Sequence, residues 1–91
     1  MRGYQLHVLS CYSGSNKSRA KLKLFESIAR ARQLGGEAAR AALVCCYDSP
    51  EWLQAEAGEV FDNPNQFKVF GRKHLLRLGD YLAQWFAEGA Q

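Results

Sequence analysis

The residues of this chain that could do chemistry gather at one junction. There the run Tyr4-Gln5-Leu6-His7-Val8-Leu9-Ser10-Cys11-Tyr12 gives way to Ser13-Gly14-Ser15-Asn16 and a basic segment from Lys17. The run is apolar and loosely alternating, as a mostly buried strand is, and the small polar residues behind it are turn formers. Strand, loop and helix in that order aim backbone N–H groups and a positive helix end at the loop. Ser13, Gly14, Ser15 and Asn16 are therefore a candidate anion-binding loop. It is not a nucleotide-hydrolysing loop, because the Walker pattern needs a second Gly directly before Lys17-Ser18. Cys11 and Arg19 offer a thiolate and a guanidinium for phosphate chemistry, but seven residues separate them, which is long for two groups converging on one phosphate. A helix N-terminus lying close would still lower the thiol pKa.

Metal and cofactor chemistry find no pattern. Cys11, Cys45 and Cys46 with His7 and His74 make no C-x-x-C or H-x-x-x-H pair that could set a tetrahedral geometry. The odd cysteine count and the adjacent pair argue against a disulfide framework, leaving small buried thiols in a reducing cytoplasm. No metal and no cofactor is expected. Charge is more informative. Residues 1–40 hold eight Lys or Arg against Glu26 and Glu37, a balance of +6, and residues 41–91 hold four against seven acids, a balance of −3. Such asymmetry predicts a polyanionic partner on the N-terminal half, or a dimer in which basic and acidic halves meet.

The elements that position these groups follow from periodicity. From Lys17 to Leu34 the apolar residues Leu22, Phe25, Ile28, Ala29 and Ala31 recur at helical intervals, with Ser15 or Ser18 as cap and Gly35-Gly36 as the stop. The exposed side of this helix carries Lys17, Arg19, Lys21, Lys23 and Arg30, the candidate nucleic-acid-binding residues. Basic residues in a first turn oppose the macrodipole by a few tenths of a kcal/mol each, roughly, so an anionic partner or a simple solubilising face must favour them. The unbroken run Arg40 to Tyr47 reads as a strand covered on both faces. Ser49 as cap with Pro50 then starts a short helix that buries Trp52, Leu53 and Ala57. Gln66 to Phe70 reads as a third strand, and Leu75, Leu78, Leu82, Trp85 and Phe86 mark a last helix, interrupted at Gly79-Asp80. The pattern predicts a small α/β domain over residues 1–91, β-α-β-α-β-α, two or three layers deep, with a mainly parallel three-stranded sheet. Ninety-one residues bury only a modest core, and a last strand bearing Phe67, Val69 and Phe70 leaves an apolar edge. A homo-oligomer is therefore expected. No stretch suits a membrane span or a signal core, which predicts a cytoplasmic protein with no membrane partner.

One family resemblance covers roughly residues 6 to 86. The run Leu22 to Arg30 with Leu34-Gly35-Gly36, followed by Ala38 to Val44, resembles the C-terminal part of a restriction-endonuclease-like domain. It is similar in particular to the nuclease domain of CRISPR-associated accessory proteins activated by cyclic oligoadenylate. The resemblance implies a strand ending in Glu-x-Lys, then a helix, a Leu-Gly-Gly turn, an apolar strand and a Leu-rich helix. Here the carboxylate position of that motif is Ser10 and the lysine position is Tyr12. The strands that carry the family's first metal-binding Asp would lie before Met1. Metal-dependent phosphodiester hydrolysis needs hard oxygen ligands, and no Asp or Glu precedes Glu26. The resemblance thus implies a truncated, catalytically silent domain that binds DNA or RNA, or a nuclease or other CRISPR-associated partner, through its basic helix. A small self-associating interaction module, whose basic helix meets the acidic segment Glu51 to Asp62 of a neighbour, is the alternative.

Overall fold

The computed structural model describes residues 6–89, so the expected strand start at Tyr4 and Gln5 lies outside the described residues. In chain order the elements are β1 (Leu6–Tyr12), α1 (Lys17–Gly35), β2 (Ala39–Cys45), α2 (Glu51–Val60), β3 (Phe67–Phe70) and α3 (Leu78–Gly89). Short 3₁₀ turns at Gly36–Ala38, Pro64–Gln66 and Arg72–Arg77 connect them. The strands form one parallel sheet in the order β1-β2-β3, with Leu6 opposite Ala39 and Ala41 opposite Phe67. Both crossovers step the same way across the sheet, so right-handed connections put α1 and α2 on one face. That face holds the main core, in which Ala20, Leu24 and Ile28 of α1 and Leu53 and Ala57 of α2 pack on Ala41, Leu43 and Phe67. On the other face Trp85 of α3 packs on Ala42 and Phe70. The domain is thus three layers, α/β/α. Among the described residues no helix is long and apolar enough to cross a membrane.

β2 shows why an unbroken apolar run suits a central strand. Ala39, Ala41, Leu43 and Cys45 face α1 and α2, while Ala42 and Val44 face α3. Its alanines let the layers approach closely, and burial pushes the Cys45 thiol pKa up. Gly36 takes φ +58 and returns its N–H to the Arg32 carbonyl. With ψ −133 this is not the αL cap of most helix ends, but a positive-φ conformation that glycine reaches most readily.

Several boundaries and faces differ from expectation. The α1 cap is Asn16, not Ser15 or Ser18, because its carboxamide oxygen accepts the Arg19 N–H at 3.1 Å. α2 begins at Glu51, with Pro50 in the cap position and no side-chain cap. The buried stripe of α1 is Ala20, Leu24, Ser27, Ile28 and Ala31. Leu22, about 160° around the helix from Leu24, is exposed, and Phe25 sits at the margin against Phe61. The irregularity before α3 falls at Arg72–Arg77, so Gly79 and Asp80 lie in its first turn and Leu75 is exposed. β3 starts one residue later than expected because Gln66 is drawn into the interior. Its side-chain amide donates to the Gly36 and Ala39 carbonyls and accepts from Arg32 Nε.

Candidate functional site

The two motif positions are occupied by side chains bonded within the chain. Ser10 projects toward α1, where its Oγ lies 2.7 Å from Ser27 Oγ, and Ser27 in turn donates to the Lys23 carbonyl at 2.9 Å. A hydroxyl has one proton, so Ser10 is the donor of the pair. Tyr12 folds back over its own loop, and its Oη accepts the Asn16 N–H at 3.3 Å. A Cβ on Gly14 would come 2.5 Å from that oxygen, so a larger residue there would displace the Tyr12 ring. Within the anion-loop candidate, then, the Asn16 N–H meets Tyr12 and the Arg19 N–H meets Asn16, while Ser13 and Ser15 are exposed. These internal bonds compete with any anion for the same donors. Among the described residues, no three His, Cys, Asp or Glu side chains stand close enough to hold a metal ion.

The thiolate and guanidinium pairing fails on geometry. Ser10 and Tyr12 face α1, so the pleat turns Cys11 to the opposite side of the sheet from Arg19. His7, on the Cys11 side, lies under Trp85 and Phe86, and burial with the nearby Arg40 charge lowers its pKa. His74 is also structural: its Nδ1 accepts the Gly71 N–H at 2.9 Å.

The five cations of α1 divide between two flanks. Lys17 lies 5.1 Å from the centre of the Trp52 ring, and Lys21 reaches Glu56 Oε2 at 3.8 Å, both on the side of α2. Arg19, Lys23 and Arg30, spaced i, i+4 and i+11, fall on one stripe along the other flank. Among the described residues no ion pair involves these three. Three of the four acids in the segment Glu51 to Asp62 form solvent-exposed ion pairs within the chain. Glu51 accepts from Lys73 at 2.6 Å, which lowers its pKa, and Asp62 pairs with Arg32 at 3.0 Å. The apolar side chains expected at an oligomer edge, Phe67, Val69 and Phe70, are buried in the two cores of the chain itself, so that ground for a homo-oligomer is gone.

Below the cationic stripe runs a groove of about 420 Å³ between α1 and β1. Val8, Ser10 and Ser27 line it together with Lys23, Glu26, Ala29, Arg30 and Gln33. Sequence reasoning missed two residues that shape the rest of the molecule. Gln54 bonds the outer edge of β3, donating to the Phe67 carbonyl and accepting the Val69 N–H at 3.1 and 3.0 Å. Arg40, buried at the start of β2, donates to the Asn65 and Trp85 carbonyls at 2.9 and 2.8 Å and lies 3.9 Å from the Trp85 ring centre. Its one signal was a charge opening an otherwise apolar run. No protein-family model matches the chain, and no curated protein matches it.

Proposed function

We propose that this domain is a non-catalytic binding module, related to the restriction-endonuclease-like domains it resembles, that holds nucleic acid along the Arg19, Lys23 and Arg30 flank of α1. One observation carries this reading: these three cations share a stripe with no ion-pair partner among the described residues, while Lys17, Lys21 and Arg32 are drawn toward α2 and the segment after it. The stripe spans about 16 Å of helix at 1.5 Å per residue, enough for several phosphates of one strand. Catalysis is left out because the positions of Ser10 and Tyr12 carry hydroxyls where metal-dependent cleavage needs a carboxylate and a lysine.

A salt titration of oligonucleotide binding, with DNA and RNA, tests it. Neutralising two or three phosphates gives a log–log slope of about −2 to −3 for duplex DNA. Arg19→Glu, Lys23→Glu and Arg30→Glu together should abolish binding and leave stability within about 1 kcal/mol. Lys17→Glu should cost little affinity. No binding even at low salt, or binding indifferent to the triple reversal, refutes the reading.

A further inference from the structure

Two edges bound the sheet, and among the described residues only one is closed. Along β3 the Gln54 carboxamide takes the Phe67 carbonyl and the Val69 N–H, the groups an added strand would need. Along β1 no described element pairs with the outer edge, and none of its seven residues is fully buried. β1 also lacks what edge strands use to repel pairing, since Leu6 to Tyr12 contains no charged residue and no proline. We propose that β1 is a strand acceptor: an extended acidic segment of a partner protein pairs with Leu6–Tyr12 and sets its acidic side chains against Lys23 and Arg30.

In strand addition the main chain supplies the binding and pockets for alternate side chains supply the choice of partner. Every second residue of β1 turns its N–H and C=O outward, and every second side chain of the added strand points toward α1. There it enters the groove floored by Val8, Ser10 and Ser27 and walled by Lys23, Glu26, Arg30 and Gln33, two cations against one carboxylate. The two cations have no ion-pair partner among the described residues, so carboxylates at alternate positions complete the wall. A second copy of this chain fits worse. Self-pairing through β1 brings the same flank of both protomers together, setting Lys23 and Arg30 against Lys23 and Arg30. The inference stands on the open backbone edge, which nucleic acid does not need, and so goes beyond the polyanion reading. The two ligands share Lys23 and Arg30 and should exclude each other.

The test uses the whole chain and a synthetic peptide, as long as β1, that alternates Glu with Val. Amide hydrogen exchange followed by NMR should show the outward N–H groups of Leu6–Tyr12 protected on adding peptide, with Phe67–Phe70 unchanged. A Lys-for-Glu version should not bind. Methylating alternate peptide nitrogens on the pairing side should weaken binding by about tenfold or more, as lost ladder hydrogen bonds do. Lys23→Glu with Arg30→Glu, two exposed changes that spare the core, should weaken it by about tenfold. The proposal is overturned if a natively folded protein gains no protection in β1. It is also overturned if the methylated peptide binds as well as its parent, or if β1 is protected without peptide and more so at higher protein concentration. Oligonucleotide binding measured in parallel separates the two readings. Its absence with β1 capture intact refutes only the polyanion reading, and its presence without β1 capture refutes only this one.

Discussion

The two edge strands of this sheet solve the same problem in opposite ways. β3 is short, and three of its four residues are buried. Its fourth, Lys68, is an exposed charge, and a glutamine from α2 occupies its outer hydrogen-bonding groups. β1 is longer, uncharged, partly exposed throughout and bordered by a groove with cations on its rim. An edge strand left this way is a template for another strand. Among the described residues a dedicated side chain occupies one edge, and no strand pairs with the other. Arg40 reinforces the contrast, because it ties β2 both to Asn65, just before β3, and to Trp85 of α3.

The largest effect should come from breaking the brace of the closed side. Arg40→Met keeps much of the packing over Trp85 but leaves the Asn65 and Trp85 carbonyls without their charged donor. Hydrogen bonds to charged groups contribute roughly 1.5–3 kcal/mol each, and relief of a desolvated guanidinium offsets part of their loss, so about 3 kcal/mol of destabilisation is expected. Urea unfolding measures it. A change within experimental error would mean that α3 and the β3 loop hold without the guanidinium.

A smaller effect follows from opening the closed edge. Gln54→Ala removes two hydrogen bonds to β3, worth about 1–3 kcal/mol together. It should also speed amide exchange at Val69 while β1 exchange stays as it was. With β3 opened, the protein should associate in a concentration-dependent way that wild type does not show through this edge, and sedimentation velocity would detect it. If the variant stays as monodisperse as wild type, the short length of β3 and Lys68 suffice to guard that edge and Gln54 serves α2 docking alone.

Much of this arrangement was legible in the sequence, and the illegible part has a physical cause. The helical period from Lys17 to Leu34, the Gly35-Gly36 stop and the apolar run of β2 are local signals, and they led to a three-stranded parallel α/β sheet, although the buried stripe is rotated from the expected one: Ile28 and Ala31 are on it, Leu24 joins them, and Leu22 and Ala29 are exposed. The spacing of Arg19, Lys23 and Arg30 was equally visible. That Lys17 and Lys21 belong to a different flank was not, because it depends on where Trp52 and Glu56 arrive in space. The same holds for Gln54 and Gln66, polar residues with no local signature whose role is to meet backbone groups more than a dozen positions away. Edge status itself is a property of strand order. An apolar β3 suggested an exposed edge, yet its Phe67, Val69 and Phe70 are buried, and among the described residues the edge left without a partner strand or capping side chain is β1.

The smallest predicted effect lies where α3 covers the β1 side of the sheet. His7 is held below its ordinary pKa first by burial and second by the neighbouring Arg40 guanidinium. Its Nε2 is buried with no hydrogen-bond partner among the described residues, so an imidazolium there would carry an N–H with no acceptor. A histidine with a depressed folded pKa binds fewer protons in the native state than in the unfolded one. Stability contributed by the neutral ring is therefore present above the unfolded value of about 6.5 and is lost as pH falls from there through the folded pKa. The ring is only partly buried, so the loss is modest. Thermal unfolding followed between pH 8 and about pH 5 should show wild type losing stability on acidification, and His7→Phe should lose less over the same window. Identical pH profiles for the two proteins would place the acid sensitivity elsewhere and show that the α3 cover over β1 tolerates a charged imidazole.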